Sequence, residues 1–370
     1  MKRSILLTVA LLGIILHMER IHAQTWSPVG TGVFSGVNPP QVEALCIYRS
    51  SLYAAGTFDS AGTYLVNHIA QWDGSNWKNA GTGVMSNGSV FSLAVYDSSL
   101  YAGGFFYAAG GNPANYIARW NDTVWSAVGN GTGDRVYSMT VYNGKLIAGG
   151  NFTYAGGDPA NYIAAWNDTS WSTLGSGTNG TVLSLAVYNG DLYAGGNFTM
   201  AGDSSISGIA KWNGSGWSAV GTYTTGVVNT LLVFNGDLYA GGGFGDMGGV
   251  MVKNIAKWNG SSWSALGNGL RGTGGTASAL GAYNNELYVG GVFDTAGNVA
   301  ARNIARWNGT NWSNVGTGGA NAVVEALNVY QGDLYVGGQF DTAGSIPINR
   351  IARWAILTGI DERSVSKREA

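Results

Sequence analysis

Cysteine and histidine are almost missing from this chain of 370 residues, and their scarcity closes off much reactive chemistry at once. Cys46 is the lone cysteine, so no internal disulfide forms; an oxidising compartment is compatible with this, but the fold does not use one. It takes a position held by Ala94 and Ala186 in sister segments, which is the place of a packed core thiol. The histidines are His17, His22 and His68. Serine–histidine or cysteine–histidine catalysis then has one candidate base beyond residue 23, and tetrahedral zinc has no ligand cluster. Charge is equally thin, at 11% of residues with a net charge of −2. No basic patch is present to hold nucleic acid or an anionic membrane. No apolar run reaches the roughly 20 residues that span a bilayer. No metal, cofactor or nucleic acid is expected.

What is abundant is glycine, at 60 residues, and aromatic side chains, at 12%. The strict Gly-X-Y period of collagen is absent, and so many aromatics do not describe a disordered chain. Many short strands joined by tight turns fit this composition. At the start, Lys2 and Arg3 precede an apolar run from Ile5 to Leu16, and a polar stretch leads to Ile21-His22-Ala23-Gln24. That is the order of a secretory signal peptide over residues 1–23, with cleavage after Ala23. Cleavage there leaves 16 of the 19 basic and 20 of the 21 acidic residues, a net charge of −4.

Internal repeats dominate the remainder. Ile-Ala-x-Trp recurs with its Trp at 72, 120, 166, 212, 258, 307 and 354, and in the first six copies a second Trp follows five residues later. One copy shows the unit. Val182 to Tyr188 reads as a strand, Asn189-Gly190 as a hairpin turn and Leu192 to Phe198 as a second strand; Ile206 to Asn213 and Trp217 to Gly221 follow as a third and fourth. Four antiparallel strands in 40–50 residues make one propeller blade. A two-glycine step recurs in the second strand, as at Gly195-Gly196, and marks close backbone approach near a crowded axis. The seventh copy has no second Trp, whereas Thr25-Trp26-Ser27-Pro28-Val29-Gly30 matches the missing strand. The expected fold is all-β, a seven-bladed β-propeller over residues 24–356, its last blade closed by the N-terminal strand around Trp26. A charged tail, 357–370, follows.

The pattern Leu-Tyr-x-Gly-Gly, a turn-rich gap, an apolar strand and a downstream Trp resembles the kelch repeat, whose family forms propellers of the galactose-oxidase type. The resemblance covers residues 25–356 and implies architecture more than activity, since such propellers serve as enzymes, adaptors and ligand binders. The longer motif, Gly-Gly-x-Phe with Ala-Gly and then Ile-Ala-x-Trp, resembles repeats of secreted and surface proteins of bacteria and of fungal cell-polarity markers. Thr358-Gly359-Ile360-Asp361-Glu362 resembles the junction before a sorting domain of the type IX export route, although that domain is absent here. The copper site of galactose oxidase needs histidine ligands and a cysteine-modified tyrosine, which this chain does not supply.

Several positions remain as site candidates. His68 stands where other copies carry Tyr116, Tyr162, Gly208, Asn254, Asn303 and Arg350, a variability that suits a surface. Among carboxylates, Asp59, Asp294 and Asp341 follow the Gly-Gly-x-Phe step and read as loop caps, while Glu43, Glu286 and Glu325 are the glutamates between the leader and the tail. The x of Ile-Ala-x-Trp is basic in five copies, either a solvated stripe covering Trp or a ring that docks an anion. Eleven Asn-x-Ser/Thr sequons occur, at Asn87, Asn121, Asn130, Asn151, Asn167, Asn179, Asn197, Asn213, Asn259, Asn308 and Asn311, and many of them are hairpin turns, so the motif comes with the fold. Tyr107, Tyr116, Tyr154 and Tyr162 are the candidate ligand-binding residues, as a carbohydrate-stacking face. The expected function is a monomeric, non-catalytic binding or scaffolding propeller, secreted or at the cell surface. It would recognise a protein or carbohydrate through loops such as Asp59–Asn67, Tyr107–Asn115 and Gly245–Lys253. The alternative is an enzyme that acts on polysaccharide through paired carboxylates.

Overall fold

The structure is a computed structural model that describes residues 24–356 except 37, 38 and 86. The expected leader 1–23 and tail 357–370 lie outside the described residues. Within them the chain folds into seven large antiparallel sheets, each with a four-strand path, numbered here in order of their first strands. Sheet 4 is typical: Thr181–Tyr188 pairs with Asp191–Asn197, that strand with Ile209–Trp212, and that one with Trp217–Ala219. The gap between the second and third strands, read as loop from sequence, holds a two-residue hairpin, Met200–Ala201 with Ser204–Ser205.

Local chemistry explains the strand boundaries. The turn from first to second strand carries positive φ at both central residues, as a type I′ turn requires, at Asn189 (50°) and Gly190 (83°) and also at the less accommodating Arg49 (45°) and Ser50 (63°). The turn from third to fourth strand is an Asx-turn: Asn213 Oδ1 accepts the backbone N–H of Ser215 at 3.0 Å and of Gly216 at 2.9 Å. Asn121, Asn167, Asn259 and Asn308 do the same, so five of the sequon asparagines are turn devices.

The glycine pair is explained by space rather than by φ. A Cβ on Gly195 would lie 2.6 Å from Val228 Cγ1 of the next sheet, and one on Gly196 would lie 2.1 Å from the Thr181 carbonyl oxygen. The first glycine therefore admits the neighbouring sheet. The second admits its own first strand, whose register shifts there by a β-bulge between Val182 and Ser184.

The first strands form the inner layer. Gln41–Tyr48 packs on Ser89–Tyr96, and contact passes on through Val136–Tyr142, Thr181–Tyr188, Thr224–Phe234, Thr276–Tyr283 and Val324–Tyr330, which packs back on Gln41–Tyr48. Among the described residues no sheet closes on itself, so the sheets meet by side-chain packing. At the outer edge tryptophan ties each sheet to the one before it. Trp217 Nε1 donates to the Leu174 carbonyl at 2.9 Å, Trp125 to Ala80 at 2.8 Å and Trp77 to Val29 at 3.0 Å. Trp26 takes the same part in sheet 7. Its strand, Gln24–Pro28, pairs with Ile351–Ile356 in the register Trp26↔Trp354, and its indole donates to Val315 at 3.3 Å.

Two readings are corrected. His68 is 4% exposed, not at the surface. It and its six counterparts share left-handed backbone, with φ between 61° and 73°. The His68 N–H donates to Phe58 and its carbonyl accepts from Gly56, a pin repeated in every sheet and independent of side-chain type. The basic stripe is consumed by cross-strand partners: Lys211 by Asp191 at 3.0 Å, Lys257 by Asp237 at 2.8 Å, Arg306 by Glu286 at 3.0 Å and Arg353 by Asp333 at 3.6 Å, while Arg119 donates to Ser99. No free cationic ring is left by these residues to dock an anion.

Candidate functional site

The inner strands begin, and the second strands end, on the face that carries the two-residue hairpins. Each inner strand places its bulge residue near that end: Glu43, Phe91, Tyr137, Leu183, Asn229, Ser278 and Glu325. Six of the seven inner strands line one axial cavity of about 220 Å³, and Glu43 and Glu325 are both in its wall. These two stand on adjacent inner strands, at the joint between sheets 7 and 1.

The two carboxyls differ in environment. Glu43 Oε1 accepts from Thr57 and Ser89 at 3.2 Å each and from Gln41, and Thr57 Oγ1 and Ser89 Oγ lie 2.7 Å apart. Burial, reinforced by the negative charge of Glu325, pushes Glu43 up to about 7 despite these donors. Glu325 is raised by burial too, while Gln339 donates to its Oε1 at 2.9 Å. Its Oε2 is buried without a hydrogen-bond partner among the described residues. Glu43 therefore exchanges its proton around neutral pH beside a second buried carboxyl, the environment from which an acid–base pair is made. The other carboxylates are occupied elsewhere. Asp59 caps Gly36 at 2.8 Å, Asp294 caps Thr273 at 3.1 Å, Asp341 accepts from Asn321 at 2.6 Å, and Glu286 holds Arg306. Among the described residues no three His, Cys, Asp or Glu converge on a metal position. Cys46 is partly buried against the core, and burial pushes its thiol up to about 11.

The four candidate tyrosines separate into two places. Tyr116 donates to the Tyr107 hydroxyl at 2.9 Å, and their rings meet edge to face at 5.0 Å. Phe105 flanks both, at 5.7 and 6.2 Å, and the Arg135 guanidinium lies 4.6 Å over Phe105. Burial and the bond to Tyr107 raise the Tyr116 phenol well above the ordinary range. Tyr162, the counterpart of Tyr116, instead lines a depression of about 390 Å³ with Thr153, Asn161, Asn179, Met200 and Asp203. Tyr154 is 53% exposed on its hairpin and makes no ring contact with the other three among the described residues. Sequence reasoning missed Phe105 and Arg135 as members of the aromatic patch, and it did not join Glu43 to Glu325. A signal existed for the second, because both glutamates follow the same valine at the opening of an inner strand, in Val42-Glu43-Ala44 and Val324-Glu325-Ala326.

No family model and no curated protein sequence matches the chain. Solved structures do. A computationally designed protein, Ika8, is 14% identical with a TM-score of 0.50, covering 89% of this chain and 100% of its own. A chain of the mitotic checkpoint complex is 13% identical with a TM-score of 0.54, over 96% and 99%. The WD40 β-propeller domain of Doa1 is 12% identical with a TM-score of 0.53, over 90% and 99%. At such identity the likeness concerns fold alone, and the fold is an all-β propeller. No helix of the described residues is long and apolar enough to cross a membrane.

Proposed function

We propose that the chain is a closed ring of seven kelch-like blades that binds carbohydrate, without catalysis, on the face carrying the short hairpins. The carrying observation is the patch of Phe105, Tyr107 and Tyr116 with Arg135 beside it, next to an exposed hairpin tip. Edge-to-face rings leave a ring face available to the C–H face of a sugar, and the hydroxyls give direction. The test is a glycan array on residues 24–370. Selective binding is expected, weakened at least about tenfold, or about 1.4 kcal/mol, in a still-folded Tyr107→Ala, Tyr116→Ala protein. Binding that survives both substitutions overturns the patch, and a blank array moves the reading to a protein partner.

Catalysis on the bound polysaccharide is the second reading, favoured by the shared cavity of Glu43 and Glu325. Release of reducing ends from an array hit, lost in Glu325→Gln, would establish it.

Export to the surface or medium rests on residues 1–23, with Thr358–Glu362 read as a type IX junction. N-terminal sequencing of the protein recovered outside the producing cell is expected to begin at Gln24. A full-length product retained in the cytosol refutes export.

A further inference from the structure

Six sheets carry an aromatic pair at the type I′ end, from Tyr48–Tyr53 to Tyr330–Tyr335, with ring centroids 5.6 to 6.1 Å apart. The second ring of the pair also faces the following sheet. Tyr53 lies beside Trp120, Tyr193 beside Trp258, Tyr288 beside Trp354 and Tyr335 beside Trp72. Sheet 3 breaks this pattern twice at one spot. Ile147 stands where the others carry tyrosine, and Ala165, directly opposite it in register, stands where they carry Gln, Lys or Arg. Tyr142 therefore has no aromatic partner on its own sheet, and Trp212 of the next sheet faces isoleucine. The lost side chains leave a slot of about 150 Å³ with apolar walls from Tyr142, Ile147, Ala165, Leu174 and Trp212, and with Asn143, Ser172, Thr173 and exposed Lys145 completing its lining on the polar side.

We propose that this slot is a binding site for a single phenolic ring, a class of ligand separate from any glycan on the hairpin face. A cavity of about this volume is large enough for one benzene ring, and the mixed lining suits a ring that carries one hydroxyl. The walls here offer an indole and a phenol ring for edge or offset stacking. The hydroxyl would lie as those of Tyr53, Tyr193, Tyr288 and Tyr335 lie, beside the indole of the next sheet, with the Lys145 side chain at the lining. Shape and polarity thus match what the repeat supplies covalently in six copies and omits in this one.

The probe is para-cresol, which is the tyrosine side chain as a free molecule. Titration into the full chain, followed at the Trp212 indole N–H by NMR, is expected to saturate with a dissociation constant of about 1 mM or tighter. 4-Methylcyclohexanol, which keeps the six-membered ring, the methyl and the hydroxyl but has no π face, is expected to bind at least about fivefold more weakly. Ile147→Tyr restores the missing ring and is expected to weaken para-cresol binding at least about tenfold while raising Tm. If that variant fails to fold, Ala165→Arg, which fills the slot from the facing strand, must produce the same loss. An unsaturated Trp212 shift at about 10 mM ligand, equal affinity for 4-methylcyclohexanol, or undiminished binding in the filled variant overturns the site.

Discussion

Trp26→Ala is expected to lower the unfolding free energy by about 3–5 kcal/mol, the largest loss of any single tryptophan truncation in this chain. Trp26 is 5% exposed, its ring centroid lies 4.9 Å from that of Trp354, and its indole donates to the Val315 carbonyl of the preceding sheet. Gly316 presses on it so closely that an added Cβ would sit 2.8 Å from Nε1. Trp217 makes the same contacts in sheet 4, but a four-residue turn, Asn213 to Gly216, ties its strand to Trp212. Gln24–Pro28 reaches its partner strand from the other end of the chain, so side-chain packing and one ladder hold it in place. Loss of Trp26 therefore frees the strand as well as the ring contact. Urea unfolding gives the magnitude, and amide exchange gives the mechanism. Ile351–Ile356 should lose protection in Trp26→Ala, while Ile209–Trp212 keeps it in Trp217→Ala. A loss below about 1 kcal/mol, or unchanged protection of Ile351–Ile356, would mean that the N-terminal strand does not secure sheet 7.

That dependence was legible in sequence because Trp-Ser-x-Val-Gly is a pattern with fixed partners: an indole that reaches back one sheet and a glycine on which the next indole rests. Other features were illegible for identifiable reasons. The seven residues aligned with His68 differ in type because their shared demand is on backbone φ, which sequence shows only when glycine or asparagine dominates. The basic stripe looked free because each partner lies 20 residues upstream on the neighbouring strand, diagonal to it, so the ion pair appears only with the register. Tyr107 and Tyr154 looked equivalent, yet Tyr107 aligns with Thr153, and one residue of slip sends a strand side chain to the opposite face.

The axial glutamates illustrate the same point in electrostatics, and they carry the second large effect. Replacing Glu43 by Gln should make the protein more stable than the parent by about 3 kcal/mol at pH 8, with little difference at pH 4. The sign follows from the folded-state value of about 7 against the ordinary 4.5. Folded Glu43 holds its proton more tightly than unfolded Glu43 does. Below about 4.5 both states are protonated and the parent keeps its full stability. As pH rises the unfolded chain ionises first, so stability falls at about 1.4 kcal/mol per pH unit until the folded carboxyl also ionises near 7. Above that the deficit is constant. Glutamine is close in shape, and its carbonyl oxygen can keep accepting from Gln41, Thr57 and Ser89, while no charge enters the cavity beside Glu325. Unfolding free energies of parent and variant, measured in urea from pH 4 to 8.5, should therefore diverge between about 4.5 and 7 and run parallel above. Curves that stay parallel across the whole range would show that Glu43 titrates as an ordinary solvated carboxylate. The axial cavity would then be too wet to hold an acid and a base apart, and the catalytic reading would lose its support along with the stability effect.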